Sequence, residues 1–180
     1  MSEKALLIID MQRGDFPPVK FKYQAERTIE KINLVAARFR AEASPVIYIQ
    51  HDGSAEKAFI PGSHDWEILP ELTQAPEDKV VSKTANNAFY RSELDALLRQ
   101  LGIKELFISG SATDFCVNAT VQAALALDYQ VTVIADAHTT GNQRPKLDAS
   151  DLIEHYNWVW ANMTPTRGTV RVLTSEELGF

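Results

Sequence analysis

Short apolar runs that alternate with helical patterns are the feature of this sequence that most restricts its fold. Each run has four or five residues rich in β-forming side chains, and turn-forming or polar residues follow it, which is typical of buried strands. Strands are predicted at residues 5–9, 46–49, 79–82, 106–109, 131–134 and 169–173. Apolar residues at helical spacing predict helices over residues 24–43, 92–101, from Thr113 or Asp114 to about 128, and over 145–161.

Strands that alternate with helices favour a parallel sheet covered on both faces. Because the crossovers between parallel strands are right-handed, the expected fold is α/β. It is a doubly wound, Rossmann-like three-layer sandwich with a mainly parallel six-stranded sheet. The chain has 180 residues and shows no repeat or linker, so we expect a single domain over residues 1–180.

Composition narrows the classes of function. The net charge of −6, without a basic stripe, argues against nucleic acid or an anionic membrane as a partner. No window approaches 18 apolar residues, and the run at residues 5–9 is too short for a secretion signal. A single cysteine cannot form an intramolecular disulfide, so a reducing compartment, the cytoplasm, is expected.

Three reactive side chains follow predicted strands. Asp10 comes after the first strand, Lys83 after the third, and Cys116 after the fourth strand and its small-residue turn. Because ligands of such sheets bind beyond the carboxyl ends of the strands, we expect these side chains to share one edge. Thr113 or Asp114 would cap the following helix, and its N-terminus would lower the pKa of the Cys116 thiol.

Spacing alone leaves other readings open. Cys116 could be a small core residue, Asp10 could cap a turn, and Lys83 could be a solvated lysine. If the three act together, Asp10 would take the thiol proton and Lys83 would stabilise both groups. Backbone N–H groups near Ala112 and Cys116 would then hold an oxyanion.

Four segments together resemble the isochorismatase-like cysteine hydrolases, a superfamily that includes nicotinamidases and N-carbamoylsarcosine amidohydrolases. The segments are ALLIIDMQ, VVSKTANNAF, ISGSATDFCVNATVQAA and IADAHTT. The resemblance implies a triad of Asp10, Lys83 and Cys116, and a non-proline cis peptide between Ser111 and Ala112. It also implies hydrolysis of a small amide-type substrate at a C–N bond through a thioester, no cofactor, and a homo-oligomer, either dimer or tetramer.

The histidines after the second strand bear on metal binding. Nicotinamidases carry an Asp-x-His pair there, whereas this chain has His51, Asp52 and His64 without that order. The region resembles a metal-free branch of small cysteine hydrolases, so no metal is expected. True isochorismatases cleave a vinyl ether and lack the cysteine nucleophile. That reaction, and a non-catalytic protein that uses Cys116 as a redox sensor, remain the alternatives.

Loop aromatics and amides are candidates for a substrate pocket. The predicted lining is Phe16, Trp66, Asn87, Phe89 and Phe115, with Tyr90, Asn86 and His138 as further candidates. Each aromatic could equally anchor its loop to the core. His155, Trp158 and Trp160 fall on the last helix and are interpreted as packing or subunit-interface residues.

Overall fold

A computed structural model describes residues 2–165 and 167–179, and within them strands and helices alternate along the chain. The strands are β1 Lys4–Ile9, β2 Val46–His51, β3 Lys79–Lys83, β4 Glu105–Ser111, β5 Gln130–Thr139 and β6 Val170–Leu173. The α-helices are α1 Ala25–Ala41, α2 Leu94–Gln100, α3 Asn118–Ala126 and α4 Ala149–Ala161. All six predicted strands are therefore confirmed, and the helices are shorter than predicted.

The strands form one sheet in the order β3-β2-β1-β4-β5-β6, and every neighbouring pair is parallel. Strand β1 lies at the centre, and its apolar residues alternate between two cores: Leu7 packs on one face and Leu6 on the other. Helices α2, α3 and α4 cover the first face, and α1 covers the second. The structure confirms the doubly wound α/β sandwich.

Strand β5 continues past the predicted end at residue 134. Its register against β4 shifts between Ile108 and Gly110, after which Gly110 pairs with His138 and Ser111 pairs with Thr139. Because β4 runs through Ser111, the first three residues of the small-residue turn predicted at 109–112 are still strand. After this irregular pairing, both strands continue to the carboxyl edge of the sheet. Residues 135–139 therefore lie beside the segment that contains Cys116.

Two predicted helix starts were wrong. Residues 145–148 lie outside α4, because Asp148 has extended backbone at φ −75° and ψ 157°. Helix α2 begins at Leu94, with Glu93 at its cap position. The hydroxyl of Ser92, one residue earlier, accepts from the Leu94 N–H at 3.3 Å and donates to the carbonyl of Ala88. The predicted stop at Gly102 is confirmed: its φ is +71°, which favours glycine.

The long segment between β2 and β3 is fixed by glutamines. Side-chain amides of Gln12 and Gln50 both donate to the carbonyl oxygen of Trp66, at 2.9 and 2.8 Å.

The aromatic residues of α4 differ in exposure. Trp160 is buried, whereas Trp158 is 64% exposed and stacks on His155.

In the part of the chain that the structure describes, no helix combines the length and the apolar character needed to cross a bilayer.

Candidate functional site

A close approach of β1 to β4 sets the position of Asp10. Gly110 has φ +115°, and a Cβ there would lie 2.2 Å from the carbonyl oxygen of Ile9. Only glycine fits between these strands without displacing the backbone. Asp10, next in the chain after Ile9, has a left-handed φ of +49° and donates its N–H to Ile49 at 2.9 Å. Its carboxylate is thereby held at the carboxyl edge of the sheet.

The structure brings Asp10, Lys83 and Cys116 together. Lys83 Nζ lies 2.7 Å from Asp10 Oδ2 and 3.5 Å from Cys116 Sγ, and it donates to the carbonyl of Ala85 at 2.8 Å. The Lys83 side chain is 0% exposed, so its charge depends on these partners for solvation. One ammonium therefore neutralises Asp10 and faces the thiol at the same time.

Burial decides the protonation states of this cluster. Desolvation raises the pKa of Asp10 above its ordinary value of 3.8, although Lys83 and the thiol oppose that rise. Desolvation and the neighbouring Asp10 raise the pKa of Cys116 from 9.0 to about 12. The expectation that a helix start would lower this pKa was wrong, because burial beside a carboxylate outweighs the effect of backbone dipoles. The thiol is protonated at rest.

The segment that carries Cys116 differs from the predicted helix start. The Ser111–Ala112 peptide bond is cis, and residues Thr113–Val117 form a π-helical turn before α3 begins. The N–H groups of Phe115 and Val117 both donate to the carbonyl of Ala112, at 3.0 and 3.1 Å. Cys116 thus lies in this turn and not in the first turn of α3.

Thr113 and Asp114 do not cap a helix, contrary to prediction. Ala112 stands at the cap position and no side chain caps the turn. Thr113 Oγ1 instead bonds His138 Nδ1 at 2.9 Å, and Asp114 pairs with Arg144 and accepts from Thr140 at 2.7 Å. Both side chains therefore connect the turn to the end of β5 and to the loop that follows it.

His138 contacts the turn through Thr113 and is not among the residues that line the cavity at Cys116. It is 3% exposed, and its Nε2 lies 2.9 Å from Asn157 Oδ1, whose amide donates to Ala135. We assign its proton to Nε2, so that Nδ1 accepts from Thr113. Burial lowers the pKa of His138 to about 4, which keeps the ring neutral. The sequence offered no signal for this role beyond the histidine's place after a strand.

A cavity of about 340 Å³ opens at Cys116, and Asp10, Ser111, Ala112 and Phe115 are among its lining residues. A smaller cavity of about 140 Å³ shares Asp10 and Cys116 and adds His51, Asn86 and Phe59. Asp10 Oδ1 and Ser111 Oγ are buried without a hydrogen-bond partner. Unsatisfied buried oxygens at a cavity wall suit a site that completes its hydrogen bonds with a ligand.

Of the five residues predicted to line the pocket, Phe115 does so and the other four lie elsewhere. Phe16 is 1% exposed in the core beneath α1, and Phe89 stacks on Tyr129 at 5.8 Å. The Asn87 side chain accepts from the Phe89 N–H, and Trp66 contributes its carbonyl to the two glutamines. These four anchor loops, which was the alternative reading of the aromatics.

Two of the further pocket candidates, Asn86 and Tyr90, differ in whether they reach the site. Asn86 Oδ1 lies 3.6 Å from Cys116 Sγ, so this amide contacts the thiol. Tyr90 is 50% exposed and lines neither cavity. The sequence placed both in the loop after β3 but could not tell which side chain turns toward the sheet edge.

His51, Asp52 and His64 do not converge. His51 lines the smaller cavity, Asp52 accepts from the N–H and hydroxyl of Ser54, and the His64 side chain is 71% exposed. Across residues 2–165 and 167–179, no three His, Cys, Asp or Glu side chains come together in an arrangement that could hold a metal ion.

Comparison with known proteins identifies the class and then the family. Residues 4–170 match the family described as isochorismatase domain. A crystal structure of an isochorismatase family protein superposes with a TM-score of 0.87 at 29% identity, covering 97% of this chain and 99% of that one. The fold and this match define a hydrolase built on a three-layer α/β sandwich. More specifically, the chain belongs to the isochorismatase family.

Two curated relatives have named activities. The chain is 31% identical over 150 residues to streptothricin hydrolase of Streptomyces noursei, covering 83% of this chain and 54% of that protein. It therefore spans about half the length of that relative. It is 30% identical to the ureidoacrylate amidohydrolase RutB of Pseudomonas syringae pv. syringae, covering 87% of this chain and 80% of the relative.

Proposed function

We propose that the protein is a cysteine-dependent hydrolase that cleaves a C–N bond in a small amide-type substrate. The observation that carries this proposal is the contact of one buried ammonium, that of Lys83, with both Asp10 and Cys116. A nucleophile and a proton acceptor then line one cavity, with a fixed cation in contact with both, which is what acyl transfer requires. The amidohydrolase named among the relatives supports an amide-type substrate.

The first step forms the tetrahedral intermediate that precedes the thioester. Because the thiol is protonated at rest, Asp10 takes its proton as Sγ attacks the carbonyl carbon of the substrate. The raised pKa of Asp10 makes its carboxylate a better proton acceptor than an exposed aspartate. Lys83 stabilises the developing thiolate, and the N–H groups of Ala112 and Cys116 hold the oxyanion.

The second step releases the amine and regenerates the thiol. The tetrahedral intermediate collapses, the C–N bond breaks, and Asp10 returns the proton to the leaving nitrogen. Water then attacks the thioester while Asp10 accepts one of its protons. Cleavage of the C–S bond releases the carboxylic acid, and the proton on Asp10 returns to Sγ. The reaction consumes one water and needs no redox step.

The proposal includes the assembly and setting of the protein. We expect a homo-oligomer, either a dimer or a tetramer, in the cytoplasm, without a cofactor. Trp158, 64% exposed beside His155 on α4, is the candidate interface residue. Light scattering on the wild type and on Trp158→Ala tests this part: a smaller mass for the variant supports the interface, and a monomeric wild type contradicts it.

An ammonia-release screen across small primary amides and ureido compounds tests the chemistry. Wild-type protein should release ammonia from at least one compound, and Cys116→Ala should lower kcat/KM at least about 10³-fold. Mass spectrometry should detect an acyl adduct on Cys116, the chain's sole cysteine. Circular dichroism of Cys116→Ala controls for folding.

The same variants identify the alternative reaction. Hydrolysis that survives in Cys116→Ala but is lost in Asp10→Asn and Lys83→Met would contradict the cysteine mechanism. It would support a reaction, such as vinyl ether hydrolysis, that needs only the acid and the lysine. Absence of both ammonia release and an adduct across the whole panel would also contradict the proposal.

A further inference from the structure

Three cationic side chains line the cavity that contains Cys116: Lys20, Lys22 and Arg144. Both lysines pair with one carboxylate, that of Asp15, with Nζ–Oδ distances of 3.1 Å for Lys20 and 2.5 Å for Lys22. Arg144 pairs with a second carboxylate, that of Asp114. Two lysine ammoniums thus share a single aspartate.

The charges around the cavity do not cancel. Three cations face two carboxylates at Asp15 and Asp114, while Asp10 is neutralised by Lys83. The thiol is neutral, and His51 in the adjoining cavity has a pKa lowered by burial and by Lys83. The cations at the wall of the site therefore exceed their carboxylate partners by one charge.

Lys22 is the buried member of this group. Its side chain is 5% exposed, and its ammonium lies 5.6 Å from the ring centroid of the buried Phe16. An ammonium has three N–H donors, of which Asp15 occupies one. A cation with so little access to water gains more from an anionic ligand than a surface lysine does, because less screening and less desolvation oppose the contact.

We propose that this cavity binds a single carboxylate-type group of the substrate through Lys22, with Lys20 and Arg144 beside it. The substrate is then a small amide or ureido compound that carries one negative charge. This inference rests on the proposed function, and it assigns the groups that select the substrate.

The dimensions of the cavity fit such a molecule. At about 340 Å³ it is small, with Cys116 and Ala112 in its wall together with the lysines and Arg144. The Arg144 guanidinium lies 4.8 Å from the ring centroid of Phe115, which forms a flat apolar surface next to the thiol. Because the thiol and the cations line the same cavity, a compact chain would carry the scissile amide at one end and the anion at the other.

Three amides of equal chain length test the charge preference. Succinamate ends in a carboxylate, 4-oxopentanamide in a neutral methyl ketone, and 4-aminobutanamide in an ammonium. Wild-type protein should hydrolyse succinamate with the highest kcat/KM and 4-aminobutanamide with the lowest. Lys22→Met should raise KM for succinamate about ten- to a hundredfold, with a much smaller change for 4-oxopentanamide. The kcat should change little, because the anion is bound equally in ground and transition states.

Two further variants separate a local contact from net charge and from misfolding. Lys104→Met removes the same charge at an exposed site where Lys104 pairs with Glu3, and it should leave the ratio of the three substrates unchanged. Asp15→Asn keeps every cation and raises the surplus by one charge, so it should lower KM for succinamate. Opposite changes in Lys22→Met and Asp15→Asn are not expected from a merely structural role.

Binding to Cys116→Ala protein distinguishes a failure of this inference from a failure of the proposed function. Calorimetry should show succinamate binding that weakens in the Cys116→Ala/Lys22→Met double variant. That result with no hydrolysis by wild type would uphold the anion site and contradict the amidase. Equal hydrolysis of succinamate and 4-oxopentanamide, unaffected by Lys22→Met, would uphold the amidase and overturn the anion site.

Discussion

Lys83 Nζ lies 2.7 Å from Asp10 Oδ2, although the two residues stand at the ends of β3 and β1, with β2 between them. The lysine side chain crosses the end of β2 and remains fully buried. Both members of this ion pair act on the thiol: the charge of Asp10 raises the pKa of Cys116, and the charge of Lys83 lowers it.

Alkylation of the thiol should respond to the two partners in opposite directions. With a pKa of about 12, Cys116 has a thiolate fraction on the order of 10⁻³ at pH 9, so wild-type protein should react slowly with iodoacetamide. Asp10→Asn removes a charge that raises the pKa and should react faster, by about tenfold for each pKa unit regained. Lys83→Met should react more slowly still.

The single cysteine makes this alkylation experiment specific, because every adduct reports Cys116. Lys104→Met serves as the control for a lost surface charge and should match the wild type. Wild-type alkylation as fast as that of a free thiol would show that the cysteine is ionised at rest.

The acid limb of the pH–rate profile should report Asp10. In the proposed mechanism its carboxylate accepts the thiol proton, and burial raises its pKa above 3.8. Accordingly, kcat/KM for a neutral substrate such as 4-oxopentanamide should fall at low pH with an apparent pKa above that value. Circular dichroism at each pH checks that the protein remains folded. A rate that stays constant down to pH 4 would contradict the assignment of Asp10 as the base.

Acid should destabilise the fold through His138. Its folded-state pKa of about 4 lies below the ordinary value of 6.5, so its contribution to stability is present above pH 6.5 and lost as pH falls toward 4. The loss should approach roughly 3 kcal/mol. Denaturant unfolding at pH 7.5 and 4.5 should show a smaller difference for His138→Gln than for wild type. Replacing the exposed His155 by Gln provides the matched control and should leave the difference unchanged.

Gly110→Ala should destabilise the protein severely, by more than about 4 kcal/mol or enough to prevent folding. Its φ is +115°, and the added Cβ would meet the backbone of Ile9 at 2.2 Å. Gly62→Ala is the matched control, with φ +85° and open space around the Cβ, and should cost about 1–2 kcal/mol. Equal unfolding free energies for the two variants would show that the strand contact does not depend on glycine.

Much of the fold followed from local pattern. Each predicted strand was a short apolar run, and apolar periodicity is set by which side chains the sheet and helices bury. Parallel pairing then placed Asp10, Lys83 and Cys116 at one edge, because all carboxyl ends of parallel strands point the same way. These features depend on neighbours in sequence, which is why they could be predicted.

The remaining features depend on contacts between distant residues. The extension of β5 arises from an irregular register with β4, and the roles of Thr113 and Asp114 arise from partners 25 to 30 residues away. The loop aromatics could not be assigned either, since burial of Phe16 or Phe89 is decided by packing across the fold. The pKa of Cys116 likewise follows from desolvation, which local sequence does not specify.

The protonated state of Cys116 has a consequence for the life of the protein in a cell. Peroxides, electrophiles and soft metal ions react with thiolates, and a neutral thiol is a slower target for all of them. The reactive anion would exist only while a carbonyl compound occupies the cavity and Asp10 accepts the proton. Slow oxidation of the resting thiol would then follow from the same ion pair that would drive turnover.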